Sequence, residues 1–390
     1  MKTNDAATGT YTLWGGALSL YSGKARSYLI KKRIPYRELY PSHPRFAEHV
    51  LPAVGLFVVP ILETPEGTLV QDTTDIIEYL EPRFPEPSLM PATPVQRAVA
   101  WLIGAFGSEA LLAAAMHYRW SYRARQEDFL RAEFGRILCN VPDREARFSA
   151  ATAAMAQMNA YLPPLGIREE TIGAVEASYE ALLDILDTHF LHHPYVLGGR
   201  PCIADFGLIA PLFAHLSRDP VPSALMKHRA PNVFRWTERM MLANIDDGEF
   251  PDYGQDYLRD DATASTLEPL LAHIFTDWGV ELLASAAHFN RWIVDNPALP
   301  SGRVASLKQD RQVHPSLGEI RYSLRGCTFT RTCAPQALWH FDKAAAHARA
   351  LSGGARASFD ALVQRTGGQS VMAITLARAL RREKDVVVLA

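Results

Sequence analysis

A short β-forming run, Tyr11-Thr12-Leu13-Trp14, stops at two glycines, Gly15 and Gly16. A few residues later a hydroxyl, Ser19, opens an amphipathic stretch that runs to Lys32. The pattern predicts a strand that delivers the chain to the start of a helix, with a side-chain oxygen at the junction. A helix N-terminus carries unpaired N–H groups and about half a positive charge, so this junction favours an anion. The alternation then continues. Tyr36-Arg37-Glu38-Leu39-Tyr40 predicts a second strand, His43 to Pro52 a weak helix, and Val58 to Glu63 a β-rich run with Pro60 inside it. Proline has no N–H for a ladder, so that run belongs at an edge or a bend, and X-Pro is where cis bonds occur. Pro65-Glu66-Gly67 is a turn, Leu69-Val70-Gln71 a short strand, and Asp72-Thr73 the start of a helix with Ile76, Leu80 and Phe84 on one face.

Three motifs in this stretch resemble the thioredoxin-like domain of the cytosolic glutathione transferases. Ser19-Leu20-Tyr21-Ser22-Gly23-Lys24-Ala25-Arg26 is similar to that family's S-P-[FY]-x-x-K-V-R, with Leu20 where the family has proline. Val59-Pro60-Ile61-Leu62 is similar to its V-P-x-L. Asp72-Thr73-Thr74-Asp75-Ile76-Ile77-Glu78-Tyr79-Leu80 is similar to its [EQ]-S-x-A-I-x-x-Y-L, with Asp and Thr in the first two places. Further on, Pro194 to Phe206 resembles the loop of the family's helical domain that leads into S-x-A-D at a buried helix start. Cys202 stands at the cap position, and a thiol accepts poorly, so Asp205 is expected to carry more of the capping.

The resemblance implies an α+β protein. A thioredoxin-like α/β glutathione-binding domain (10–85) is followed by an all-α domain (94–250) and a mostly helical extension with a small β element (262–390). It implies glutathione as co-substrate, activated as a thiolate for attack on a small, apolar or aromatic electrophile, with a lyase or dehalogenase as variants. Ser19 is the implied thiol partner, with Ser22 a rival hydroxyl. Val59, before a cis Pro60, would pair its backbone with the cysteinyl part of glutathione. Asp72 and Thr73 would hold the γ-glutamyl end, Thr73 the carboxylate and Asp72 the ammonium; Gln71 replaces Asp72 if the register slips by one. The energetics are adequate. A free thiol has a pKa of about 8.5, and lowering it by about two units takes about 2.7 kcal/mol. A hydrogen bond to a charged group supplies about 1.5–3 kcal/mol and a helix N-terminus about 0.3–1. Ser19 therefore needs no His–Asp relay, because the nucleophile is the glutathione sulfur.

The second substrate is expected between the first two domains. His117, Tyr118 and Trp120, with Arg119 and Tyr122, follow the long helix Val95–Met116 and either line that cleft or form a packed aromatic helix end. The family implies a homodimer that pairs the first domain of one chain with the second of the other, and a cytoplasmic, detoxifying role. A scaffold of the same fold with an idle serine is the alternative from a different class.

Charge is nearly balanced, with 40 Lys and Arg against 42 Asp and Glu and a net charge of −2, which gives no reason to expect nucleic acid or an anionic membrane. Met1 to Thr10 is polar, without the apolar core of a secretory signal. Ala98–Met116 is the most apolar stretch, but Ser108 and Glu109 lie inside it, so a buried helix is expected there. Cys139, Cys202, Cys327 and Cys333 show no Cys-x-x-Cys and no zinc spacing, so neither a dithiol centre nor a metal is expected. Other expected helices are Glu127–Leu138, Ala146–Leu162, Ile172–Phe190, Pro231–Met240, Thr266–Asn296, Ala337–Leu351 and Ala355–Arg382. A strand is expected at Ile320–Gly326 and a polar loop from Asp246 to Asp261. Beyond that loop the aromatic residues Phe275, Trp278, Phe289, Trp292, Phe329, Trp339 and Phe341 are too much apolar bulk to stay exposed. The extension is therefore expected to pack on the helical domain and not to hang as a tethered module.

Overall fold

The computed structural model describes residues 9–244, 248–309, 313–383 and 386–390. Asp246 and Asp247, where the expected loop begins, lie outside the described residues, as do Met1 to Thr8.

The first unit contains β1 (Tyr11–Trp14), α1 (Leu20–Lys31), β2 (Tyr36–Leu39), α2 (Leu51–Val54), β3 (Ile61–Glu63), β4 (Leu69–Gln71) and α3 (Thr73–Leu80). The sheet order is β2-β1-β3-β4. β1 runs parallel to β2 and antiparallel to β3, which is antiparallel to β4. β1 is central because all four of its residues are apolar or β-branched, and all four are buried. This is the thioredoxin-like arrangement that the motifs imply. β3 is shorter than expected: pairing starts only at Ile61, after Pro60. A residue with no N–H cannot join the ladder.

Helices follow: α4 (Pro94–Glu109), α5 (Leu112–Trp120), α6 (Glu127–Leu138), α7 (Arg144–Asn159), α8 (Glu169–His192), α9 (Ile203–Pro211), α10 (Pro220–Arg229) and α11 (Pro231–Met240). The expected helix Val95–Met116 is two, divided at Ala110 and Leu111. The stretch Pro94–Trp120 is long and apolar enough to cross a membrane, but 78% of its most apolar window is buried inside the protein.

α4 and α9 form the axis of the molecule. Their backbones touch at glycines: a Cβ on Gly207 would stand 2.2 Å from the carbonyl oxygen of Gly104, and one on Gly107 would stand 2.5 Å from the carbonyl carbon of Gly207. α1 also packs on α9. The start of α9 is fixed by Asp205, which is fully buried. Its Oδ1 accepts from the Val196 N–H at 3.1 Å and the Trp236 indole N–H at 3.1 Å, and its Oδ2 accepts from the Cys202 N–H at 2.9 Å. The Cys202 thiol donates to the same Oδ2 at 3.4 Å. The acid thus carries the junction where the usual hydroxyl is missing.

The extension holds α12 (Glu268–His273), α13 (Gly279–Asp295), the hairpin β5 (Glu319–Leu324) and β6 (Cys327–Thr332), α14 (Pro335–Arg349), α15 (Gly353–Arg365), α16 (Gln369–Met372), and a second hairpin, β7 (Leu380–Glu383) with β8 (Val386–Leu389). α14 lies along α4, and α12 and β6 lie on α8. Trp101 of α4 stacks on His347 at 5.1 Å, and Trp278 meets both Phe106 and Phe341. Phe275, Trp278, Phe289, Trp292, Phe329, Trp339 and Phe341 are all buried. Each such side chain contributes about 1.5–3 kcal/mol on burial, which holds the extension to the helical layer. Ala355–Arg382 is not one helical segment. It breaks at Thr366-Gly367-Gly368, where Gly367 has φ 75°, and it ends as strand β7. β7 is strand because Val387 and Leu389 of β8 give it a buried partner that no local pattern announces.

The glycine crossing predicts a contrast. Gly207→Ala should lower stability by roughly 3 kcal/mol, since backbone atoms and not a yielding side chain stand in the way. Gly173→Ala, on an exposed face of α8 with nothing within 4 Å, should raise it by up to about 1 kcal/mol. Urea unfolding of both variants checks this; equal effects would refute the close packing.

Candidate functional site

Ser19 is the N-cap of α1. Its φ and ψ are extended, at −84° and 124°, and its Oγ accepts the Ser22 N–H at 3.3 Å. A hydroxyl that accepts one bond still has its proton to donate. Ser19 is half-buried, whereas Ser22 is fully buried, and its Oγ has no partner among the described residues. That oxygen sits under Gly15, where a Cβ would come within 2.8 Å of it. The loop before Ser19 is anchored from the helical domain. Arg119 is buried, donates from Nε and Nη2 to Asp219 at 2.6 and 2.8 Å, and gives Nη1 to the Leu18 carbonyl at 3.0 Å.

The Val59–Pro60 peptide is cis. Gln71 ends β4 opposite Ile61, and Asp72 follows as the N-cap of α3. Asp72 has φ 71°, a conformation costly for a residue with a Cβ. Its Oδ1 accepts from the Thr74 N–H at 2.8 Å. Thr73 and Thr74 are buried.

The extension reaches this turn. Arg382 of β7 sets Nη1 3.0 Å from Asp72 Oδ2 and Nε 3.3 Å from Asp75 Oδ2. His340 of α14 pairs Nε2 with Thr74 Oγ1 at 3.2 Å and Nδ1 with Glu109 at the end of α4. Lys343 pairs with Glu78 at 2.6 Å. From α1, the buried Lys24 donates to Ser108 Oγ at 3.2 Å. Burial works to raise the Asp72 carboxyl, but Arg382, His340 and Lys24 outweigh it and hold it below the usual carboxylate range. Burial lowers Lys24, against Asp72 and Glu109. For Asp75, burial and the Asp72 charge prevail over Arg382 and Lys343, and its carboxyl is pushed up to about 6.

The aromatic set is elsewhere. His117, Tyr118 and Trp120 are buried. His117 bonds Ser121 at 2.9 Å and Glu176 at 2.9 Å; burial lowers its pKa despite that carboxylate. Tyr118 packs edge-on against Tyr179, and Trp120 against Phe134 in a separate cluster with Met155 and Ile167. His117 and Tyr118 instead form one packed aromatic patch with Tyr122, their rings 4.9–5.8 Å apart, while Trp120 goes to the separate cluster. Arg119, between them, donates to the carbonyl of Leu18 in the loop that carries Ser19.

The cavities include one in the helical layers and one between them and the β5–β6 hairpin. An open groove of about 510 Å³ is lined by Ser121, Asn159, Pro163, Arg168 and Ile172 among others, and a chamber of about 60 Å³ lies between Phe106, Tyr179, Trp278, Glu281, Tyr322 and Arg331. None of the residues that line them is Ser19, Pro60, Asp72, His117, Tyr118 or Trp120. Among the described residues no group of three or more His, Cys, Asp or Glu is placed to hold a metal ion.

Residues missed from the sequence are Glu109, His340, Lys343 and Arg382. Lys24 stood inside the quoted motif without a role. The others carry no local signal, since the partners meet from separate ends of the chain.

Residues 13–88 match the N-terminal domain of glutathione S-transferases, and residues 148–239 match their C-terminal domain. Neither match reaches the extension. No curated protein matches the chain. Among solved structures, a glutathione S-transferase from Rhodospirillum rubrum F11 is 17% identical, covering 66% of this chain and 97% of its own, with a TM-score of 0.38. The β-etherase LigF from Sphingobium sp. strain SYK-6 is 20% identical over 59% of this chain and 94% of its own, with a TM-score of 0.39. A glutathione S-transferase from Methylobacterium radiotolerans JCM 2831, in complex with glutathione sulfonate, is 20% identical over 64% and 98%, with a TM-score of 0.35. Likenesses at this level add nothing to the fold already described.

Asp75 yields a pH test. Its folded pKa of about 6 lies above the ordinary 3.8, so its protonated form stabilises the fold fully below about pH 4, and that contribution is lost as pH rises through about 6. With 35% of the side chain exposed, solvent screens part of the effect. Asp75→Asn should flatten the fall of the urea midpoint between pH 4 and 6 that the wild type shows; parallel curves for the two proteins would refute the assignment.

Proposed function

Through residues 13–88 and 148–239 the chain belongs to the glutathione S-transferase family, and on that footing we propose that it binds glutathione and activates its thiol at Ser19 for attack on a small electrophile. The observation that carries this reading is the Ser19 hydroxyl: it caps α1, is half-buried, and keeps a proton to give, while the rival Ser22 is sealed under Gly15. The Ser19 O–H donates to the glutathione sulfur and favours its thiolate. Val59, before cis-Pro60, presents its backbone to the cysteinyl part. Thr73, at the first turn of α3, takes the γ-glutamyl carboxylate. Asp72 takes the ammonium in preference to Gln71, because Asp72 and not Gln71 is the helix cap.

In this reading residues 10–85 are the glutathione-binding domain, 94–250 the all-α domain and 262–390 the extension. The electrophile is small and apolar or aromatic, with a lyase or dehalogenase as variants, and the role is cytoplasmic and detoxifying. A homodimer that pairs first and second domains belongs to the same reading, and its interface has to leave room for the extension, which covers parts of α3 and α4. One observation favours a non-catalytic module instead: both Asp72 oxygens are already engaged by this chain.

Absorbance titration of bound glutathione decides. Wild-type protein should retain on glutathione resin and lower the bound thiol pKa. Ser19→Ala should return that pKa upward by roughly 1–2 units, the equivalent of one charged hydrogen bond, with the fold intact, and Ser22→Ala should not. Protein that neither binds glutathione nor shifts its thiol is the non-catalytic module.

A further inference from the structure

We propose that Arg382, carried by the extension, is a positioning residue of the glutathione site: it fixes the Asp72 carboxylate that receives the γ-glutamyl ammonium, so the site is incomplete without the C-terminal hairpin. The inference rests on the glutathione reading above and extends it to a part of the chain that neither family match includes.

The geometry is specific. Arg382 spans Asp72 and Asp75 with two different nitrogens, Nη1 at 3.0 Å and Nε at 3.3 Å, and its side chain is 8% exposed. Its guanidinium lies over the Trp339 ring, 5.8 Å from the centroid. The hairpin that carries it is tied down, since the Ala305 N–H donates to the Val387 carbonyl and the Gly302 N–H to the Leu389 carbonyl, each at 2.9 Å. A rigid fork that reaches two carboxylates orients both.

The arrangement does not close Asp72 off. A carboxylate has about four acceptor sites, Thr74 N–H and Arg382 occupy one each, and 18% of the Asp72 side chain remains exposed. The ionisable groups gathered around it are Tyr21 and Lys24 of α1, Asp75 and Glu78 of α3, Glu109 of α4, His340 and Lys343 of α14, and Arg382 of β7. Two acids at one helix start would otherwise repel. With Arg382 between them Asp72 stays ionised, and His340 holds Thr74, two residues on, from the same extension.

The test uses the full chain. Calorimetric titrations from pH 4 to 8 compare glutathione with cysteinylglycine, which lacks the γ-glutamyl group, for wild type, Arg382→Gln and Arg382→Lys, with thermal unfolding as the control of fold. Arg382→Gln should weaken glutathione at least tenfold, leave cysteinylglycine unchanged, and move the acid limb of glutathione binding to higher pH as Asp72 becomes easier to protonate. Arg382→Lys, which keeps the charge and loses the fork, should fall between and carries the comparison if the glutamine variant does not fold. Unchanged glutathione affinity in either folded variant overturns the proposal, as does an equal loss for both ligands. Tighter glutathione binding also overturns it, and makes Arg382 a plug that competes with the ligand. Failure of the wild type itself to bind glutathione removes the underlying reading as well, and is told apart from the others because it precedes any substitution.

Discussion

Everything in this molecule is built outward from the contact of α4 with α9, where Gly104, Gly107 and Gly207 let two backbones meet without side chains between them. α1 packs against α9 and α14 against α4. The sheet of the first unit is hung on α1, and the extension on α4. A side chain at the crossing would push α4, on which α14 packs, away from α9, on which α1 packs.

Electrostatics do the second part of the work. Buried charges are tolerated where each has an opposite and a hydrogen bond, and this chain uses several to tie distant segments together. Arg119 with Asp219 fixes the loop before Ser19. Glu281 with Arg331 joins α13 to β6 at 2.6 Å. Asp72 and Asp75 with Arg382 join the first unit to the last hairpin. Removing one member of such a set leaves its partner charged in a poor solvent, so these pairs fix which segments meet more firmly than they add to stability.

The sequence was most legible where short motifs dictate backbone geometry. The strand–glycine–serine junction, the proline before Ile61 and the Asp72-Thr73 helix start are local chemistry, and their places in the fold could be read from a few residues each. The S-x-A-D variant was legible in its departure too, since the thiol at Cys202 throws the capping onto Asp205. Legibility failed where partners come from far away. Ala355–Arg382 has the composition of a helix, and only the buried face offered by Val387 and Leu389 makes its end a strand. His117, Tyr118 and Trp120 are adjacent in sequence, which suggested a common cleft, but His117 and Tyr118 pack into a buried patch with Tyr122 and Trp120 turns to a different cluster. His340 and Arg382 could not be assigned, because nothing around them in sequence names Thr74 or Asp72.

Thr74 and His340 stand 266 positions apart, and that separation has a meaning in time. Chains are synthesised from the N-terminus at about 5–20 residues per second, and domains tend to fold as they emerge. About 85 to 130 residues separate the end of the first two units, near 250, from α14 and β7, so those units are complete roughly 4 to 30 seconds before the residues that cover α3 and α4 exist. Throughout that interval Trp101 has no His347 to stack on, and Trp278, once made, has no Phe341. Until then the nascent chain presents an apolar helix face to solvent, an exposure that the first two units, with no extension to wait for, would have to cover in some other way.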